Sequence, residues 1–253
     1  MKYKKNSIKI LFMVILILVI GFSVNFADTN YKIKYICEGS DFETPVYIIS
    51  SKIETPVVMI MSGTHGNEPA GIAAVKKMKD NINIQKGTLI FIPNANIIAC
   101  EKEMRSYPEG INLNRVYPGK KDGNDVEKIA YEIFNLMKSF HVDFLFDLHE
   151  SREFYKINPQ NYGQTIVLDC YDDDFLKICS GIQERLNRDI SNEQEKFEIL
   201  IKPIEGCATY AASCQLGIPS FTFETCRKLP FPSRVAIQET LIKMVLEHVG
   251  LME

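Results

Sequence analysis

Three short segments of this chain, each at the end of an apolar run, carry side chains that can bind a metal or move a proton. The side chains they supply are two imidazoles and two carboxylates: His65, Glu68, His149 and Glu224. A hydrolytic zinc site needs three protein ligands, an open fourth position for water and a general base beside it. The residue types therefore predict a hydrolytic centre that holds one Zn²⁺ per chain.

The apolar runs before these side chains are continuous and rich in β-branched or aromatic residues, as is typical of buried strands. They cover residues 57–63, 142–147 and 218–223. In open α/β sheets, ligands bind at the carboxyl ends of the strands. Because each candidate side chain comes at or just beyond the end of its run, we expect three distant segments to converge on one rim of a sheet.

The rest of the chain alternates between strand and helix patterns, which predicts a three-layer α/β/α fold around a mostly parallel mixed sheet. Residues 31–37 and 44–50 are predicted to form a hairpin at the sheet edge. Further strands are predicted at 87–93 and 164–168, and helices at 69–80, 125–140, 173–186, 206–215 and 233–249. Residues 94–119 form a long polar loop, and ordered loops of that length usually have a function.

The first 27 residues differ in composition from the rest. Four lysines precede the apolar stretch 10–24, and no acidic residue occurs before Asp28. This pattern is typical of an export signal, either a cleaved signal peptide or an uncleaved membrane anchor. We therefore expect a catalytic domain at 28–253 that lies outside the cytoplasm, secreted or anchored, with membrane contact only through the N-terminal segment.

Charge and cysteine content exclude some classes of protein. Without the four N-terminal lysines the chain has 25 Lys and Arg against 32 Asp and Glu, a net charge of −7. No basic stripe accompanies this acidity, so nucleic acid is not an expected partner. The seven cysteines form no C-x-x-C pair, and we expect most of them to be buried small hydrophobes, with disulfides as the alternative.

The two carboxylates have a functional and a structural interpretation. Glu224 follows an apolar strand, where a carboxylate is costly unless it is paired or functional. Partial burial would raise its pKa toward the range of a general base, whereas the structural alternative is an ion pair with Arg227. Glu68, which precedes a predicted helix, would otherwise favour the helix macrodipole.

The second histidine lies between two further acids. Asp147 is on the same face of an extended chain as His149 and would orient it as a ligand. Glu150 could compete as a ligand but should point the opposite way. The alternative for His149 is a hydrogen-bonded histidine at a strand end without a metal.

The long loop offers cations and amides. Arg105 and the run 112–119 (NLNRVYPG) supply two guanidinium groups, whose planar forks suit a substrate carboxylate or a developing oxyanion. The alternative is a surface loop with ordinary charges.

In this order, the motifs GTHGNE, NLNRVYPG and DLHE and a strand ending in Glu resemble the succinylglutamate desuccinylase/aspartoacylase family, which has a zinc carboxypeptidase-like fold. The resemblance covers roughly residues 57–224. It implies that His65, Glu68 and His149 are zinc ligands. It also implies Glu224 as general base and acid and Arg105 as an oxyanion or substrate contact. Asn114 with Arg115 would anchor a carboxylate, and Tyr210 would contact the substrate.

The chain departs from this family in two places. Four residues after Tyr210 the aspartoacylase branch has a further substrate-binding arginine, where this chain has Cys214. We also expect the family's C-terminal β-rich domain to be absent, since the chain ends 29 residues after Glu224. A more open groove for peptide-like substrates would follow.

The expected function is hydrolysis of an amide bond next to a carboxylate, in a small-molecule or peptide substrate. The family motifs favour an N-acyl amino acid deacylase. The export signal and the expected loss of a domain favour a zinc carboxypeptidase acting on peptides or cell-wall stem peptides. A zinc-binding or substrate-binding module without turnover is the alternative from another class.

Overall fold

The computed structural model describes residues 29–252, and eight strands of this part form one sheet in the order β1-β2-β4-β3-β5-β8-β6-β7. The strands are β1 (Asn30–Ile36), β2 (Thr44–Ser50), β3 (Val57–Ser62), β4 (Thr88–Ile92), β5 (Phe144–Ser151), β6 (Thr165–Leu168), β7 (Glu198–Ile201) and β8 (Ser220–Cys226). Strands β4, β3, β5 and β8 run parallel, and β1, β2 and β6 pair antiparallel with their neighbours toward the centre. This is the mostly parallel mixed sheet that the sequence predicts.

Helices cover both faces of the sheet. They are α1 (Pro69–Asn81), α2 (Ile97–Glu101), α3 (Asp125–Ser139), α4 (Asp173–Asn187), α5 (Ala208–Tyr210) and α6 (Phe231–His248). Apolar residues of α1, α4 and α6 pack into one core cluster, and those of α3 and α5 pack into a second cluster. The three-layer α/β/α fold is therefore confirmed.

The predicted elements match the structure closely, with three differences. Strands β5 and β8 continue to Ser151 and Cys226, so His149 and Glu224 lie inside strands rather than at or beyond their ends. The long loop 94–119 contains the short helix α2 and a 3₁₀ turn. Strand β7 was not predicted from the sequence. It has only four residues, and none of them is fully buried.

One disulfide joins Cys170, which follows β6, to Cys214, in the π-helical turn that continues α5. The other five cysteines are unpaired, and three of them are buried. Most cysteines are thus free, as expected, but only three of the seven are both free and buried. Cys214, at the position where the resemblance implies an arginine, forms this disulfide.

The predicted signal peptide or anchor, residues 1–27, lies outside the described residues. Within residues 29–252, none of the helices combines the length and the apolar character needed to cross a bilayer.

Candidate metal centre and active site

The turn after β3 brings the first two candidate ligands to the sheet rim. Gly63 has a φ of +71°, which reverses the chain at the strand end. A Cβ on Gly66 would lie 1.9 Å from the carbonyl oxygen of Ala99, so only glycine allows α2 to pack against this turn. Glu68 immediately precedes α1, but its side chain makes no capping hydrogen bond. That carboxylate is therefore available to the site.

His65, Glu68 and His149 form one buried cluster. The Nδ1 atom of His65 lies 2.8 Å from Oε1 of Glu68, and the Nδ1 atom of His149 lies 2.8 Å from Oε2 of the same carboxylate. The ligand atoms of the three residues all lie within 4.8 Å of one another. Three donor atoms this close together can be shared by a single cation.

Each histidine is oriented through its other ring nitrogen. Nε2 of His149 lies 2.9 Å from Oδ2 of Asp147, and Nε2 of His65 lies 3.1 Å from Oδ1 of Asn112. Such contacts to the remote nitrogen fix the ring of a metal-binding histidine. The predicted role of Asp147 thus agrees with the geometry, whereas Asn112 was not singled out from the sequence.

The donor set fits zinc. Nδ1 of His65 is buried and forms no well-aligned hydrogen bond, although Glu68 is close. Two imidazole nitrogens and one carboxylate, with both rings oriented from behind, form a three-ligand set of the kind that catalytic zinc sites use. A cation would satisfy the unpartnered nitrogen of His65.

The charges of the cluster keep its carboxylate ionised. Burial opposes ionisation of Glu68, but the two imidazoles outweigh it and hold the pKa of this carboxyl far below its usual range. Burial lowers the pKa of His65, against the opposing effect of Glu68. For His149 burial acts in the same direction, but the carboxylates of Asp147 and Glu68 prevail and raise its pKa. The carboxylate ligand is therefore fully charged at neutral pH.

Glu224 lies beside this cluster on the neighbouring strand β8, in register with His149 on β5. Its Oε2 atom is buried and has no hydrogen-bond partner. Burial raises the pKa of Glu224 to about 8, although His149 and Arg105 act in the opposite direction. Within residues 29–252 it forms no ion pair with Arg227, so the structural alternative for Glu224 receives no support.

A cavity of about 340 Å³ opens over these side chains. Its walls include His65, Glu68, Arg105 and Glu224. Arg105 donates from Nη1 to Oε1 of Glu68 at 3.1 Å, and about half of its side chain is exposed. A substrate in this cavity would meet the metal cluster, the unpartnered carboxylate and a guanidinium group together.

Glu150 is excluded as a competing ligand because its carboxylate is already engaged. Its Oε2 accepts the backbone N–H of Ala70 at 2.9 Å, and its Oε1 forms a buried ion pair with Arg234 of α6. Gln238, one turn further along α6, donates to the carbonyl oxygen of His149 at 3.0 Å. These two α6 residues support the site from behind, and no local sequence signal identified them.

The predicted substrate anchors lie elsewhere on the loops. Asn114 is buried with an unpartnered Oδ1, whereas Arg115 is exposed and donates from Nη1 to the carbonyl oxygen of Asn114. Tyr210 is half-buried at the end of α5. None of the three lines the cavity over Glu224, so their contact with substrate stays a prediction.

The fold is a mixed α/β fold of the zinc carboxypeptidase-like type, and the candidate metal cluster lies at the rim of its sheet. Residues 54–248 match the succinylglutamate desuccinylase/aspartoacylase catalytic domain, and the chain belongs to that family.

Similar proteins include one curated relative and several solved structures. The N-alpha-acetyl-L-2,4-diaminobutyric acid deacetylase of Halomonas elongata is 34% identical over 128 residues, which cover 49% of this chain and 36% of the relative. The mDAP-bound form of Helicobacter pylori Csd4, a D,L-carboxypeptidase, has a TM-score of 0.70 at 19% identity, with 79% of this chain and 54% of that chain covered.

The product-bound ectoine utilization protein EutE (DoeB) from Ruegeria pomeroyi also has a TM-score of 0.70, at 20% identity. The match covers 92% of this chain and 71% of that chain. This chain thus spans about a third of the length of the Halomonas deacetylase and about half of the length of Csd4. The structural similarities establish the fold, and the deacetylase and the carboxypeptidase are both hydrolases of amide bonds.

Proposed function

We propose that this chain is a zinc-dependent hydrolase that cleaves an amide bond adjacent to a carboxylate, as an N-acyl amino acid deacylase. One observation carries the proposal. The ligand atoms of His65, Glu68 and His149 lie within 4.8 Å of one another, and the unpartnered carboxylate of Glu224 lines the same cavity. Family membership and the 34% identity to a deacetylase support the reaction class.

The zinc ion would be held by both Nδ1 atoms and the carboxylate of Glu68. Zinc bound there would supply a Lewis acid that lowers the pKa of a water molecule and polarises the substrate carbonyl. Asp147 and Asn112 hold the two imidazole rings in the orientation that this binding needs.

Two other residues of the cavity carry the proton and charge chemistry. Glu224 accepts the proton of the attacking water and returns it to the leaving amine, a role that suits a carboxyl whose pKa of about 8 lies near neutral pH. Arg105 donates to the oxyanion that develops on the carbonyl oxygen. Its exposed guanidinium can turn from Glu68 toward substrate.

The substrate is a small molecule or peptide with a free carboxylate. Asn114 and Arg115 anchor this carboxylate, and Tyr210 contacts the substrate from α5. The unpartnered Oδ1 of Asn114 and the exposed fork of Arg115 are the features that support this part of the proposal.

The decisive experiment combines metal analysis with a substrate screen. Protein from residue 28 onward is expected to contain about one zinc per chain and to release free amino acid from a panel of N-acyl amino acids. Glu224→Gln should keep the metal and lose turnover. A zinc-loaded protein that hydrolyses no member of the panel would reject the deacylase proposal.

The fold similarity to Csd4 favours a second candidate, a carboxypeptidase acting on peptides or cell-wall stem peptides. Release of a C-terminal residue from short peptides, at a rate above that for any N-acyl amino acid, would select it. A binding module without turnover is disfavoured because Glu224 has no structural partner for its buried oxygen.

The extracytoplasmic location, with residues 1–27 as signal or anchor, is also proposed. Its support is the lysine-flanked apolar stretch 10–24. Cell fractionation of the full chain tests it, since an exclusively cytosolic protein would contradict the location.

A further inference from the structure

Two arginines lie side by side at the mouth of the candidate active site. Strands β5 and β8 pair in parallel, and their last registered pair is Ser151 with Cys226. The next residues are Arg152 and Arg227, and the N–H of Arg227 donates to the carbonyl oxygen of Ser151 at 2.8 Å, which ties the two strand ends together. Neighbouring strands are about 4.8 Å apart, so the two arginines occupy adjacent backbone positions.

Within the described part of the chain, no side chain neutralises either guanidinium group. Both side chains are exposed, and neither forms an ion pair or a side-chain hydrogen bond with any residue between 29 and 252. The following pair shows the usual arrangement, since Glu153 and Lys228 have opposite charges and lie 3.5 Å apart. Like charges on adjacent strands are destabilising, so the arginine pair has a cost that no acidic neighbour offsets.

Both arginines line the same 340 Å³ cavity as the metal cluster. Three carboxylates also line it, but two are engaged: Glu68 within the ligand cluster and Glu150 by Arg234. The remainder of the wall near the arginines is polar, and includes Gln160 and Asn161. A ligand in the cavity therefore meets two free guanidinium forks, which suit a carboxylate.

The loop that follows Arg152 is held firmly in place. The N–H of Gly163 donates to the carbonyl oxygen of Glu153 at 3.1 Å, and the N–H of Tyr162 donates to Oγ of Ser151 at 3.0 Å. A Cβ on Gly163 would lie 2.4 Å from the carbonyl oxygen of Glu153, so the two backbone segments are in direct contact. The arginine pair therefore sits on a backbone that is fixed before substrate binds.

We propose that Arg152 and Arg227 bind a second carboxylate of the substrate, separate from the one beside the scissile amide, and so select dianionic substrates. This inference rests on the proposed amide hydrolase function and specifies its substrate class. The second carboxylate lies either on the acyl group or on the side chain of the amino acid, and the two sources call for different substrates.

The test compares three substrates with the zinc-loaded enzyme: N-acetyl-L-alanine, N-succinyl-L-alanine and N-acetyl-L-glutamate. The wild type should favour at least one of the two dianions over N-acetyl-L-alanine by about tenfold or more in kcat/KM. Arg152→Gln and Arg227→Gln should each lower kcat/KM for that dianion about 10- to 100-fold, mainly through KM, as expected for a lost charged hydrogen bond. Turnover of N-acetyl-L-alanine should change less than about twofold.

Lys228→Gln is the matched control, because it removes the same charge one residue away, from a side chain that does not line the cavity. It should leave the preference for the dianion unchanged. Equal losses for all three substrates in the arginine variants, or no loss for any, would overturn the proposal. So would a wild type that has no preference for either dianion.

Failure of the proposed function can be distinguished from failure of this inference. If the wild type hydrolyses none of the three amides, the deacylase assignment fails for these substrates, and calorimetric binding of succinate then tests the arginine pair alone. At least tenfold weaker succinate binding by the Arg152→Gln/Arg227→Gln double variant than by wild type would support it. Equal or undetectable binding by both proteins would overturn it.

Discussion

His149 and Glu224 face each other as registered partners on the adjacent parallel strands β5 and β8. In a parallel pair, registered residues point to the same side of the sheet at a spacing of about 4.8 Å. The proposed metal ligand and the proposed base are thus placed relative to each other by backbone hydrogen bonds rather than by a flexible loop. Catalytic groups on strands are held more precisely than groups on loops.

The metal site predicts the behaviour of histidine variants. His65→Ala and His149→Ala should each lose most of the bound zinc, because each removes one of three ligands. Metal content per chain, measured by mass spectrometry after dialysis, checks this. His248→Ala, which removes an exposed histidine at the end of α6, should keep about one zinc. Full zinc content in a His65/His149 double variant would refute the ligand assignment.

Glu224→Gln separates catalysis from metal binding. Glutamine keeps the shape of the side chain but cannot accept the proton, so kcat should fall by roughly 10²- to 10⁴-fold while zinc is retained. Steady-state kinetics and metal analysis of the same preparation provide the measurement. Activity within tenfold of wild type would mean that Glu224 is structural.

The raised pKa of Glu224 predicts a pH dependence of stability in the metal-free protein. Above its ordinary value of 4.5 the unfolded chain loses this proton, whereas the folded protein keeps it up to about 8. The contribution of Glu224 to the free energy of unfolding therefore falls as pH rises from about 4.5 to 8, and it stays constant above that pH. In EDTA, the Tm of Glu224→Gln minus that of wild type should grow between pH 5 and 8. A constant difference would contradict the raised pKa.

The two loop arginines should affect different kinetic constants. Arg115→Lys keeps the charge but loses the fork, so KM should rise roughly 10- to 100-fold with little change in kcat. Arg105→Lys should lower kcat instead, because the proposed partner of Arg105 is charge that develops only in the transition state. Comparing a substrate that has a free carboxylate with its amide provides the control. If wild type turns over acid and amide equally, the clamp assigned to Arg115 is wrong.

The buried ion pair of Arg234 with Glu150 predicts a large loss of stability when it is broken. Arg234→Met leaves a buried carboxylate without its partner, which typically costs about 3–5 kcal/mol. Lys177→Met breaks the exposed pair with Asp174 in α4 and should cost less than about 1 kcal/mol. Denaturant unfolding of each variant measures both values.

A second substitution tests the cause of that loss. Adding Glu150→Gln to Arg234→Met should restore most of the stability, because the uncompensated charge is then removed. If the double variant is no more stable than Arg234→Met, the loss arises from packing of α6 rather than from charge.

Local sequence patterns were sufficient to predict the central strands and the candidate metal-binding residues. The apolar runs at 57–63, 142–147 and 218–223 are long and uninterrupted. Their positions therefore predicted the central strands and the residues that lie near the carboxyl ends of those strands. The alternating order of strands and helices then predicted that the three candidate ligand residues lie on one rim of the sheet. Both the fold class and the convergence of His65, Glu68 and His149 could be inferred in this way.

The features that the sequence did not reveal depend on partners far apart in the chain. Arg234 is 84 residues from Glu150, and Gln238 is 89 residues from His149. Neither residue type is unusual in a surface helix, so nothing marked them before the packing of α6 was known. The charge conflict between Arg152 and Arg227 likewise becomes visible only through the register of two strands that are 75 positions apart.

The cross-link between Cys170 and Cys214 also changes how this protein can be cut. It closes a covalent ring of chain that contains α4 and β7, and residues 191–194 of that ring are exposed. A protease that cleaves there produces two polypeptides that remain joined, so the nicked protein keeps its original mass on a non-reducing gel. Only a reductant would separate the fragment that carries the proposed metal ligands from the fragment that carries Glu224.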